Sequence, residues 1–131
     1  MVFVYHLQAH PRYLATTTAI LGALEKGHAT AVASVISLLE ILVHPYRSGH
    51  ADLARRYRSL LCAVPGLRFL PLDEEIADVA ARVRAEQGLG AADAAVVATA
   101  VRMGATLLVT NDRRLKRKRL PVRLLVLQDV V

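Results

Sequence analysis

Apolar and polar positions along the chain fall into two kinds of segment, short solid apolar runs and longer amphipathic ones. Pro11 can occupy the first turn of a helix, and the pattern runs on to Lys26-Gly27, where Gly27 can end it. Ala29 to Ala33 is a short strand candidate. Ser34 is a good N-cap for the apolar helix Val35-Ile36-Ser37-Leu38-Leu39-Glu40-Ile41-Leu42-Val43, which is expected to end near Pro45. Ala51 to Ala63 forms an amphipathic helix with an arginine face. Pro65-Gly66 makes a turn, and Leu67 to Leu70 a strand. Asp73 caps a helix from Glu74 to Gln87, with acids placed early as the helix dipole prefers. After a loop at Gly88 and Gly90, a helix spans about Ala92 to Met103 and is stopped by Gly104. Ala105 to Val109 is β-rich, Asp112 to Lys118 a short basic helix or turn, and Val122 to Leu127 a last strand.

Helices thus alternate with strands that are apolar throughout rather than on every second residue. That pattern marks an α/β fold, a parallel sheet with helices on both faces. Ligands in such sheets bind beyond the carboxyl ends of the strands. The whole chain, 1–131, reads as a single domain, without internal repeat or low-complexity linker.

Composition narrows the class. Hydrophobic residues make up 54% of the 131, so the chain is globular and not disordered. It has no uninterrupted apolar stretch of about 18 residues, so no membrane span is expected. The N-terminus lacks the basic start and cleavage site of a signal peptide. One cysteine, Cys62, excludes an internal disulfide and fits a reducing cytoplasm. Its neighbours Leu60, Leu61, Ala63 and Val64 make it read as a buried small hydrophobe rather than a reactive thiol. The net charge of +6 favours polyanionic partners, nucleic acid above all. The charge is concentrated in Arg113, Arg114, Lys116, Arg117, Lys118 and Arg119, with a second group at Arg55, Arg56 and Arg58. The second group is equally well a solvated helix face.

Candidate chemistry lies in three acids set in apolar surroundings. Glu40 interrupts an apolar helix, Asp93 opens Ala94-Ala95-Val96-Val97-Ala98, and Asp112 follows the strand-like Leu107-Leu108-Val109. Buried carboxylates are costly unless paired, hydrogen-bonded or bound to metal. The three are expected to share one polar site, with carboxylates within roughly 10 Å of one another if two metals are spanned. Carboxylates with no His or Cys among them suit a hard cation, Mg²⁺ or Mn²⁺. Each acid also has a plainer reading: Asp93 as a helix N-cap, Glu40 as the partner of Ser37 in a capping box, Asp112 as a turn residue. Their joint occurrence is what favours a site.

These segments resemble the PIN-domain nucleases, and within them the VapC-type toxins of bacterial toxin–antitoxin pairs. The resemblance rests on Ser37-Leu38-Leu39-Glu40-Ile41-Leu42, on Ala92-Asp93-Ala94-Ala95-Val96-Val97-Ala98-Thr99-Ala100 and on Leu108-Val109-Thr110-Asn111-Asp112-Arg113-Arg114-Leu115, in that order. It covers nearly the whole chain. It implies a metal-dependent endoribonuclease in which Glu40, Asp93 and Asp112 are catalytic metal ligands, while Thr110 and Asn111 shape the site. The basic run from Arg113 to Arg119, with Arg113, Arg114, Lys116 and Arg117 foremost, is then expected to hold RNA. A cognate antitoxin and a homodimer are the implied protein partners. The chain departs from the family at its start. The family begins with a strand ending in an aspartate, and here Val2 to Leu7 resembles the helix start that follows it. Either the true start lies upstream of Met1, or the chain is a degenerate member that binds RNA or antitoxin without cutting.

Histidines add little. His6 and His10 stand four apart, a possible zinc pair, but without the intervening Glu of the metalloprotease pattern or a third ligand they fit a surface pair better. His28, His44 and His50 show no arrangement. There is no Gly-rich phosphate loop, nucleophile elbow or Cys-Xaa-Xaa-Cys.

Overall fold

A computed structural model describes residues 10–130. The helix start expected at Val2 to Leu7, and His6 with it, lie outside the described residues. Helix α1 spans Leu14–Glu25 and gives way at Lys26 to Gly27, whose φ of 73° lets the chain reverse. Strand β1 (Ala31–Ser34) leads without a loop into α2 (Val35–Arg47). The side-chain oxygen of Ser34 accepts a hydrogen bond from the Ile36 amide at 3.1 Å, and this cap turns strand into helix. Helix α3 (Ala51–Cys62) and strand β2 (Leu67–Leu70) follow. Helix α4 (Glu74–Gln87) is capped by Asp73, which accepts from the Ile76 amide at 2.8 Å. Helix α5 (Ala91–Arg102), strand β3 (Leu108–Thr110), a 3₁₀ turn at Arg113–Arg117 and strand β4 (Leu124–Val126) complete the order, with a further 3₁₀ turn at Leu127–Asp129.

The strands pair in parallel as the apolar runs require. Among the described residues they form two two-stranded sheets, β1 with β2 and β3 with β4. Ala31 stands opposite Leu67 in the first, Leu108 opposite Leu124 in the second. Helix α5 connects them. It packs against α4, β1 and α2, and its Ala94 and Val97 share a core cluster with Val83, Leu89 and Leu115, against which Leu108 and Leu124 pack. The alanines of α5 make this possible, because small side chains let neighbours approach from several directions. Thr99, also enclosed, satisfies its hydroxyl by donating to the Ala95 carbonyl at 2.8 Å.

One helix end is refined and one reading of burial needs correction. Helix α2 runs through Pro45 to Arg47, with Pro45 buried inside it. The helix ends instead at Ser48 and Gly49, where φ is 77°. Cys62 is exposed. Helix α3 buries Ala54 and Leu61, seven residues apart on one face, and Cys62 sits about 100° further round.

Candidate functional site

Asp93 stands in the first turn of α5, after the N-cap Gly90, which has no side chain to offer the helix. A carboxylate there is favoured by the positive end of the helix dipole. Asp112 lies two residues beyond the carboxyl end of β3. Thr110 Oγ1 accepts from the Asp112 amide at 3.1 Å, and Asp112 Oδ1 accepts from the Arg114 amide at 2.9 Å, so both sides of this turn are fixed by side chains. Asn111 ties this turn to the 3₁₀ turn that follows β4: its Oδ1 accepts from the Gln128 amide at 3.0 Å. The strand-end position that ligands favour in parallel sheets is thus held by a small polar network.

Asp93 and Asp112 face one cleft of about 280 Å³, whose wall also includes Gly88, Leu89, Gly90, Leu115 and the basic Arg114, Arg117 and Lys118. Glu40 is not on that wall. It is exposed on α2 rather than enclosed, because the helix buries Ile41 and Pro45 and turns Leu39, Glu40 and Val43 outward. Among the described residues, no three acids, histidines or cysteines gather into a metal-holding group.

The basic segment divides its charges between two acids. Arg114 forks onto Asp112, with Nε 3.0 Å from Oδ1 and Nη2 2.7 Å from Oδ2. This guanidinium holds the Asp112 carboxyl below the usual carboxylate range. Arg113 and Lys116 turn to Asp129 instead, at 3.1 and 2.6 Å. Their charges hold the Asp129 carboxyl low as well, Lys116 most strongly. Arg117 and Lys118 form no ion pair among the described residues and border the cleft. Lys118, which also lines the cleft, belongs to the run from Arg113 to Arg119 that was expected to hold RNA. Sequence reasoning missed Asp129. Asp129 carried no signal, since its role depends on β4 returning beside β3.

The match to the PIN-domain model extends over residues 2–120. The chain belongs to the PIN-domain family. Its fold is the PIN-like α/β fold, with five helices among the described residues and parallel strands. Among solved structures it is similar to a chain in the crystal structure of VapBC2 from Rickettsia felis bound to a DNA fragment from their promoter. The TM-score is 0.75 at 21% identity, covering 95% of this chain and 92% of that one. A chain of a toxin–antitoxin complex from Klebsiella pneumoniae gives a TM-score of 0.49 at 24% identity, covering 60% of each. No curated protein matches the sequence significantly. PIN nucleases in general use divalent metal ions. The cleft of this PIN domain fits such an ion in its donor chemistry: two carboxylates and no soft ligand, where Mg²⁺ commonly takes one or two carboxylates and keeps several waters. No helix among the described residues is long and apolar enough to cross a membrane.

Proposed function

We propose that this PIN domain is a metal-dependent ribonuclease of the VapC toxin type, hydrolysing phosphodiester bonds of single-stranded or loop RNA. The observation that carries the reading is the meeting of Asp93 and Asp112 with Arg117 and Lys118 on one cleft wall. Asp93 and Asp112 hold the cation, Mg²⁺ or Mn²⁺. When bound, such an ion supplies Lewis-acid charge at the attacked phosphate and lowers the pKa of its water. Arg117 and Lys118 bind the RNA backbone and set it across the acids, where unpaired bases do not obstruct approach. Thr110 and Asn111 hold the turn that presents Asp112. Glu40 is the third acid of the reading and stands apart from the cleft wall, so its part is separable by mutation.

The fold shared with a chain of a VapBC2 structure supports an antitoxin as protein partner. Exposed Leu39, Tyr46 and Leu60 offer apolar surface for an antitoxin or for a homodimer. The free, exposed Cys62 suits a reducing cytoplasm. The alternative, a PIN domain that binds RNA or antitoxin without cutting, is favoured by one observation: Asp112 is already occupied by Arg114.

The deciding experiment incubates the purified protein with single-stranded RNA and Mg²⁺ or Mn²⁺. Cleavage is expected, and Asp93→Asn is expected to lower it about 10²-fold or more, since a bound metal contributes several kcal/mol to the transition state. RNA binding by Asp93→Asn stays intact, and Glu40→Gln reports whether the third acid takes part. RNA binding without cleavage by the wild type, with either metal, makes the binding module the better reading.

A further inference from the structure

Of the cations in the segment from Arg113 to Lys118, Arg114 alone among the described residues pairs with a cleft acid, since Arg113 and Lys116 are drawn to Asp129. Its grip on Asp112 is complete in a geometric sense. Nε reaches Oδ1 at 3.0 Å and Oδ2 at 3.2 Å, Nη2 reaches Oδ2 at 2.7 Å, and the backbone amide of the same residue takes Oδ1 at 2.9 Å. One residue therefore engages both oxygens that a cation would use. Asp93, on the same wall, adds its attraction for the guanidinium. The pair is nevertheless open to water: the Arg114 side chain is 82% exposed and that of Asp112 26%. An exposed pair of this kind is weak and easily exchanged. A guanidinium is also a strong bidentate ligand of phosphate.

We propose that Arg114 is a resident competitor for the cation at Asp112: cation binding displaces the guanidinium, which then takes a phosphate of the RNA. The inference rests on the metal-nuclease reading above. In this exchange Asp112 is charge-compensated in both states, by Arg114 before loading and by the ion after it. The cleft thereby gains a phosphate ligand only when it holds a metal, which couples metal loading to RNA binding.

The test compares wild type, Arg114→Ala and Arg114→Lys, each checked for fold by circular dichroism. Arg114→Ala keeps the backbone amide that caps Asp112, so the turn is retained. Mn²⁺ affinity is read from the electron paramagnetic resonance signal of free Mn²⁺, which needs no turnover. Arg114→Ala is expected to bind Mn²⁺ about two- to five-fold more tightly, the range that exposed ion pairs support. Arg114→Lys is expected to lie nearer wild type, with a charge but no fork. RNA binding supplies the second readout. With Mg²⁺ present, Arg114→Ala binds RNA several-fold more weakly than wild type, and with EDTA the two bind alike. Measurable but equal Mn²⁺ affinity in wild type and Arg114→Ala overturns the competition while leaving the metal site standing. An RNA-binding loss of the same size with Mg²⁺ and with EDTA overturns the displacement. Absence of Mn²⁺ binding in every variant overturns the metal-site reading, and this inference with it.

Discussion

The side of the molecule built from α4, α5, β3 and β4 and the hairpin of α2 and α3 are both rich in apolar residues, yet they use them differently. In the first, Val97 is fully buried and Val83, Leu89, Ala94 and Leu115 nearly so. In the second, Leu39, Tyr46 and Leu60 are each more than half exposed. The cause is the number of neighbours. Helix α5 is enclosed from several directions, while α2 and α3 each bury one stripe, Ile41 with Pro45 and Ala54 with Leu61. An apolar run therefore indicates burial only where the fold supplies elements to cover it. The difference reaches the site. Asp93 begins the enclosed helix and inherits its rigidity, whereas Glu40 rides on an exposed face. Functional groups on well-packed elements are held more accurately than those that are not.

The largest test of this contrast is a pair of leucine truncations. Leu127, fully buried beyond β4, is expected to cost about 2–5 kcal/mol when replaced by Ala. Leu60→Ala, on the exposed face of α3, is expected to stay within about 0.5 kcal/mol. Urea unfolding gives both numbers directly. Equal losses in the two variants would show that the hairpin is covered in solution, as a homodimer formed through Leu60 would cover it.

Next in size are the helix caps, one in each region. Asp73→Ala releases the Ile76 amide at the start of α4, and Ser34→Ala releases the Ile36 amide at the start of α2. Each is expected to lower stability by about 1 kcal/mol, within a range of about 0.5–2. Ser34→Gly should recover most of its loss if the effect is capping, because Gly is itself a tolerated cap. A Ser34→Gly variant no better than Ser34→Ala points to packing of the buried side chain instead.

Local chemistry was legible in the sequence to the residue in places. Leu67–Leu70 and Glu74–Gln87 follow from Pro65-Gly66 and from Asp73, whose effects act within a turn or two. The parallel pairing was legible too, because uniformly apolar strands suit little else. Asp93 and Asp112 stood out as acids at element ends, and they do share a cleft. What was not legible is whatever depends on which element covers which. The outward turn of Glu40 and Cys62 and the capture of Arg113 and Lys116 by Asp129 are all tertiary outcomes. Pro45 misled for a different reason. A proline costs a helix one hydrogen bond and a steric adjustment, and burial of Pro45 against its neighbours offsets that here.

The smallest expected effect concerns pH, and it probes how firmly the basic segment is tied to the packed side. Asp129 is paired with Lys116 and Arg113, and both cations lower its pKa, Lys116 first. A carboxyl whose pKa is lower in the folded than in the unfolded chain binds fewer protons when folded. Its contribution is therefore present above the ordinary carboxylate range and is lost as pH falls through the folded value. The pairs are partly open to solvent, so the contribution is modest and weakened by salt. Asp129→Asn is expected to be slightly less stable than wild type at neutral pH and to converge with it as pH falls below the ordinary carboxylate range. The neutral-pH gap should shrink in high salt. Unfolding free energies at neutral and low pH and at two ionic strengths provide the check. A gap that persists unchanged at low pH would mean that Asp129 acts through packing or its backbone rather than through its charge, and that the basic segment is held by Leu115 in the core alone.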